Sequence, residues 1–231
     1  MSNTRFAPSR RALLVSASAT LALAGCGSLL SPSNPPATIY MLGPDFGKLS
    51  GPAVDWAMVV STPDVPNVLD TDRLLIVRNA EMDYYANAQW NDATPRLLQT
   101  LVVQAFEASG RIKGVARDSG GVRGDYILSL ELRHFEAVYD SPDAAPMINV
   151  NIMAKMLALP RHDVAFTHEA KRAMRAATNT VPAVVGVFNA ATHDAIAEIV
   201  DWALAAPGGS SSAAATDDAP PPVTHHRRRR H

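Results

Sequence analysis

Apolar residues along this chain follow two rhythms, and together they sketch a fold. Over residues 126–133, Tyr126, Leu128, Leu130 and Leu132 alternate with Ser129, Glu131 and Arg133, the two-residue period of a strand with one buried face. A turn at Ser141-Pro142-Asp143 follows. Ile148, Val150, Ile152, Ala154 and Met156 then alternate with Asn149, Asn151 and Lys155. A second turn over residues 160–163 leads to a weaker alternation over 164–174, which predicts a third strand. Short connections make these strands antiparallel neighbours.

The helical rhythm occurs twice. Thr94-Pro95 supplies a hydroxyl N-cap and a proline for the first turn, Leu97, Leu98, Leu101, Val102, Ala105 and Phe106 form an apolar stripe, and Gly110 is the expected stop. Gln99, Gln104 and Glu107 are expected on the opposite, solvated face. The second helix starts at Thr180 with Pro182, carries Val184, Phe188, Ala191, Ala195, Ile199 and Trp202 as its stripe, and fades at Ala206-Pro207-Gly208-Gly209. Upstream, residues 39–42 and 54–60 are short strand candidates, separated from the buried-strand pattern of residues 73–78 by a proline-containing extended segment. Glu81-Met82-Asp83-Tyr84-Tyr85 then brings two adjacent tyrosines, with Trp90 five residues on. The predicted fold class is α+β: a single domain with a mainly antiparallel sheet and two amphipathic helices packed on it.

Composition narrows the function. The chain of 231 residues is 47% hydrophobic and has a formal charge of −1. Setting aside Arg5, Arg10 and Arg11, then Asp217, Asp218 and the four arginines 227–230, leaves a domain near −6. That disfavours a nucleic-acid partner. No stretch of 18 or more uninterrupted apolar residues occurs in the chain, so no membrane span is expected. Neither a GxxxxGK[ST] loop nor a G-x-S-x-G elbow occurs. His162, His168 and His193 are scattered, so no metal site is expected, nor any other cofactor or catalytic group.

The N-terminus explains how such a domain is held. A basic region with Arg5, Arg10 and Arg11 precedes a 13-residue run from Ala12 to Ala24, too short to span a bilayer. Leu23-Ala24-Gly25-Cys26 resembles the lipobox of bacterial lipoproteins. The signal, residues 1–25, is expected to be cut between Gly25 and Cys26, and the Cys26 sulfur to carry the lipid. Cys26 is the only cysteine, so no disulfide is expected. Residues 26–38 read as a lipidated tether rich in Ser, Pro and Asn, 39–206 as the domain, and 207–231 as a disordered tail ending in His225-His226-Arg227-Arg228-Arg229-Arg230-His231. Gly27, not Asp, follows the cysteine. Under the sorting rule of enteric bacteria, where Asp retains a lipoprotein in the inner membrane, the expected address is the periplasmic face of the outer membrane.

Several short motifs occur in a telling order: Tyr40-Met41-Leu42-Gly43-Pro44, then Leu69-Asp70-x-x-Arg73, then Tyr84-Tyr85, Trp90, Pro95 and Leu97-Leu98-Gln99, with Phe106-x-x-Ser109-Gly110 closing the helix. Over about residues 39–205 the chain resembles the ABC-type transport auxiliary lipoproteins. Where that family often has Arg before the Trp, this chain has Gln89. The resemblance implies a non-enzymatic lipoprotein of the Gram-negative envelope. Its partners would be an MCE-domain substrate-binding protein and the ABC permease and ATPase of the same system, which move lipids or other hydrophobic molecules between the membranes. It also raises a homo-oligomer, a ring matching an MCE ring. A lipid-anchored scaffold or assembly factor of another envelope complex is the alternative.

Candidate partner-binding residues are Asp70, Arg73, Tyr84, Tyr85 and Trp90. Asp70 and Arg73 read either as a partner-facing charged pair or as a local ion pair worth roughly 0–1 kcal/mol. The aromatics read either as an interface or as rings buried under the first helix. Adjacent tyrosines in a strand point to opposite faces, so one of the two is expected to be exposed. The basic tail reads as a solvated end, an anionic-headgroup binder or a weak metal chelator.

Overall fold

The computed structural model describes residues 36–206 apart from Lys48 and Ser50. The signal peptide, Gly25, Cys26, most of the tether and the tail lie outside the described residues. The fold set out here is that of the unit beginning at Thr38.

Eight strands form one open sheet: β1 (Thr38–Tyr40), β2 (Ala57–Val60), β3 (Arg73–Arg78), β4 (Glu81–Trp90), β5 (Gly114–Arg117), β6 (Tyr126–Tyr139), β7 (Met147–Ala158) and β8 (Asp163–Arg175). Two helices complete it, α1 (Thr94–Ser109) and α2 (Val181–Ala205). The fold is α+β, as the two rhythms indicate. Its long ladders, β6–β7 and β7–β8, are antiparallel, as is the β3–β4 hairpin. Four short ladders are parallel: β3 runs beside the end of β6, β2 beside its start, β5 beside β2, and β1 beside β4. These connections are long-range, and no local pattern announces them.

Strand β7 shows why the sheet has two unlike faces. Its buried residues Ile148, Val150, Ile152, Ala154 and Met156 alternate with half-buried Met147, Asn149, Asn151, Met153 and Lys155. Both helices cover the same buried face, since Leu97, Leu98 and Leu101 of α1 and Thr192 of α2 meet Leu132, Phe135, Val150 and Ile152 around one small gap. Trp90, Phe135 and Phe188 form an aromatic knot there, with ring centroids 4.9–5.7 Å apart.

The helix ends differ in detail from expectation. The N-cap of α1 is Ala93, not Thr94; the Thr94 hydroxyl instead donates to the Thr71 carbonyl at 2.9 Å, tying the helix start to the turn before β3. Gly110 does end the helix, in the left-handed region at φ 61°. Gln99 is buried rather than solvated: its Nε2 donates to the Val60 carbonyl and to Asp118 Oδ1. Its polarity serves a bond from helix to sheet. Helix α2 has the length and apolar composition of a membrane-crossing helix. Here Val184, Phe188, Ala191, Ala195 and Ile199 are fully buried against the sheet. The chain after β1 straps this helix down. The Gly43 amide donates to Asn189 Oδ1, the His193 ring to the Gly43 carbonyl, and the Phe46 ring lies 4.9 Å from that of His193.

Glu198 on α2 receives bonds from two residues of β8, His168 at 2.7 Å and Arg172 at 2.6 Å, while the His168 ring stacks on Trp202. Burial alone would raise the Glu198 carboxyl, but these bonds outweigh it and hold it below its ordinary value. A lowered folded-state pKa contributes stability that is present above the unfolded value and lost as pH falls through the folded one. The stability gap between the protein and Glu198→Gln is therefore expected to be full at pH 7 and to close below about pH 4. Urea denaturation across that range checks this.

Candidate functional site

The face of the sheet away from the helices is the surface that remains to be explained. Strand register places Met82, Val77, Val138, Met147 and Arg175 in one row across β4, β3, β6, β7 and β8. The next row is Tyr84, Leu75, Glu136, Asn149 and Ala173, of which Leu75 and Glu136 are buried. Nearer the other end of the strands the face is charged. Arg133 bonds Glu131 at 2.9 Å and Glu169 at 3.2 Å, Lys171 bonds Glu169 at 2.8 Å, and Lys155 approaches Glu131 to 3.6 Å. Asn151 donates to Glu169 as well. Arg133 is the main cause holding the Glu131 carboxyl below its ordinary value, and Lys171 that for Glu169. Exposed pairs of this kind contribute little to stability, roughly 0–1 kcal/mol each. They are better suited to setting the charge pattern of a surface.

The residues singled out in the sequence separate over this framework. Arg73 and Asp70 are both exposed but form no ion pair; the Arg73 guanidinium lies over the Tyr84 ring at 4.1 Å. Tyr84 is half-buried, and its hydroxyl donates to the Val68 carbonyl at 2.9 Å. Tyr85 points the other way. Its hydroxyl lies 2.7 Å from that of Tyr139, which donates in turn to Asn179 Oδ1 just before α2. Both tyrosines are half-buried, so neither is the freely exposed partner of a buried twin. Trp90 is 1% exposed and belongs to the core. It lies too deep to touch a partner, because the strand carries its ring under α1 and α2. Tyr84 and Arg73 thus share the open face, Asp70 flanks them, and Tyr85 and Trp90 belong to the covered side.

Sequence reasoning missed the charge network, although its signal was present in the polar positions of three neighbouring strands. It also missed the tip of the β3–β4 hairpin. Asn79 and Ala80 both have positive φ, 48° and 68°, as a tight two-residue hairpin turn requires. Ala80 takes the conformation at a cost that glycine would avoid. Beside it Met82 is 61% exposed.

Under the helices, the gap between α1, α2 and the sheet measures about 10 Å³. Pockets for small molecules are of the order of 300–1,000 Å³, so this gap has no room for an acyl chain. Among the described residues no three His, Cys, Asp or Glu side chains converge as a metal site. His162, His168 and His193 sit apart, each with a separate partner.

Comparison with known proteins decides the family. The model of the ABC-type transport auxiliary lipoprotein component matches residues 45–200. The chain belongs to this family. Among solved structures it is similar to protein XCC0632 from Xanthomonas campestris, with 28% identity over 77% of this chain and 100% of that one, at a TM-score of 0.68. It is also similar to an uncharacterized protein with 12% identity over 72% of this chain and 98% of that one, at a TM-score of 0.57, which shows a shared fold. No curated protein matches it. The family is one of transport auxiliary lipoproteins and not a known enzyme family.

Burial, with the bond to Tyr139 added, pushes the Tyr85 phenol well above the ordinary tyrosine value. Tyr85 then keeps its proton in the folded state at a pH where the unfolded chain loses it. Stability present below about pH 10 is therefore expected to fall as pH rises above it. In Tyr85→Phe that alkaline decline is expected to be shallower, as read from thermal melts between pH 8 and 11.

Proposed function

We propose that this family member is a lipid-anchored accessory of an MCE-type ABC transport system. Cys26 holds the domain to the periplasmic face of the outer membrane, and the domain acts by docking rather than by catalysis. Family membership supports the transport assignment. The observation that carries the docking mode is the contrast between the two faces of the sheet. One is filled by helices with no space for cargo, while the other presents a patterned surface of apolar, aromatic and charged rows. On this reading Arg73 and Tyr84, with Asp70 beside them, belong to the surface that receives the MCE protein, and ATP hydrolysis belongs to the partner. The tether of residues 26–38 gives the domain reach. Twelve extended residues span at most about 40 Å, enough to hold it clear of the headgroups.

The network of charged side chains on β6, β7 and β8 favours a second reading, a lipid-anchored scaffold of another envelope complex. Pull-down of the full-length protein from mildly solubilised envelopes separates the two. Recovery of an MCE-domain protein with its permease is expected, and recovery is expected to fall severalfold in Arg73→Ala/Tyr84→Ala. An unrelated assembly complex in its place would move the protein to the scaffold class. In Cys26→Ala the protein is expected to leave the membrane fraction; its retention there would contradict the anchor.

A further inference from the structure

Two of the most exposed apolar side chains among the described residues stand together where the tether joins the domain. Ile39 is 63% exposed and Met41 69%. Apolar residues scattered singly over a surface are ordinary, but these two are a pair on one side of the chain. Their neighbours Tyr40 and Leu42 pack against the core, and the alternation turns Ile39 and Met41 the other way. Ile39 lies beside Gln89 of β4, and Gln89 beside Arg73 of β3. The pair therefore stands on the side of the sheet away from the helices, at its β1 edge.

Charge points to what meets this pair. Residues 27–44 contain no Asp, Glu, Lys, Arg or His, in a chain that is 19% charged overall. The first charge, Asp45, comes only after the chain has turned onto α2, where the Gly43 amide donates to Asn189 and the Phe46 ring meets His193. No charge would have to leave water if the chain from Cys26 to Met41 followed a membrane surface, and that cost is what ordinarily keeps a surface strand out of a bilayer. Leu29 and Leu30 add apolar groups close to the lipidated residue.

We propose that Ile39 and Met41 insert into the headgroup layer of the membrane that carries the Cys26 lipid, so that without its partner the domain rests on the bilayer by its β1 edge. This rests on the anchor at Cys26. Fully extended, the tether of residues 26–38 reaches about 40 Å. Laid along the surface, the same tether makes Ile39 the first apolar side chain of the domain to meet lipid. Shallow insertion of apolar side chains beside a covalent lipid adds a second contact to the first. A domain held at one point pivots freely. Held at two, it presents the open face, with Arg73 and Tyr84 next to the inserted pair, in a limited range of orientations.

Cys26 is the only cysteine, and its thiol is consumed by the lipid, so a cysteine added elsewhere takes a nitroxide label alone. The label is placed on Met41→Cys in the full-length lipoprotein, in nanodiscs of phosphatidylethanolamine and phosphatidylglycerol. It is expected to gain collisions with oxygen and lose them with a water-soluble nickel chelate, raising the oxygen-to-nickel ratio severalfold over that of Cys26→Ala/Met41→Cys in solution. A label on Val164→Cys, a position 56% exposed on β8, is expected to keep its solution ratio. Adding Ile39→Asp is expected to return the ratio at position 41 to the solution value, which separates insertion by the domain from insertion by the label. An unchanged ratio at position 41, or one indifferent to Ile39→Asp, would overturn the proposal. So would loss of both kinds of collision, the mark of a protein neighbour such as a second copy. Fractionation of Cys26→Ala tests the anchor alone, so failure of the anchor and failure of the insertion are told apart.

Discussion

The backbone ladder along β6 is the constraint on which the rest of this domain depends. Fourteen residues of one strand pair with β7 along nearly their whole length on one side. On the other side they hold β2 near the start and β3 near the end, with Asp64 bridging to Glu131 between them. Hydrogen bonds contribute about 1 kcal/mol net each, but a buried strand with unpaired groups would cost more than that at every position. The central strand therefore dictates where the hairpin β3–β4 and the β2–β5 pair can sit. Through them it fixes the helices, because α1 follows β4 directly and α2 follows β8.

From that ladder come two faces with different work to do. Its inward side chains, with those of β7, seat both helices, and a fully buried large side chain contributes roughly 1.5–3 kcal/mol. The exposed ion pairs of the outward face contribute far less. Stability is thus concentrated on one side of the sheet, leaving the other free to carry a pattern of charge and apolar rows. On the proposed function, a lipid anchor, a tether and a domain with one surface left free of helices would together make a docking device.

Much of this was legible in the sequence wherever a residue's environment is set by its neighbours in the chain. The alternation in residues 126–133 and 148–156 has a clean period because one face is sealed, and Arg73–Arg78 was read at the bounds observed. Strand β5 escaped because Gly-Val-Ala-Arg is too short to show a period. Gln99 misled because a single buried amide is indistinguishable from a solvated one until the Val60 carbonyl is known to lie opposite. Trp90 was read both ways, and only the fold places it against Phe135 and Phe188. The candidate surface was the least legible part. Glu131, Arg133, Lys155, Glu169 and Lys171 come from three strands, and their proximity is a matter of register.

Methionines lie on both faces of the sheet, which makes the division of labour directly measurable. Met58 and Met156 are buried under the helices, whereas Met147 and Met153 are half-buried on the open face. Peroxide oxidation followed by peptide mass spectrometry, on the purified lipoprotein and on the complex recovered from envelopes, reports each site. If the open face is the docking surface, Met147 and Met153 react in the purified protein and are shielded in the complex, while Met58 and Met156 resist in both. Equal reactivity of Met147 and Met153 in the two states would contradict it.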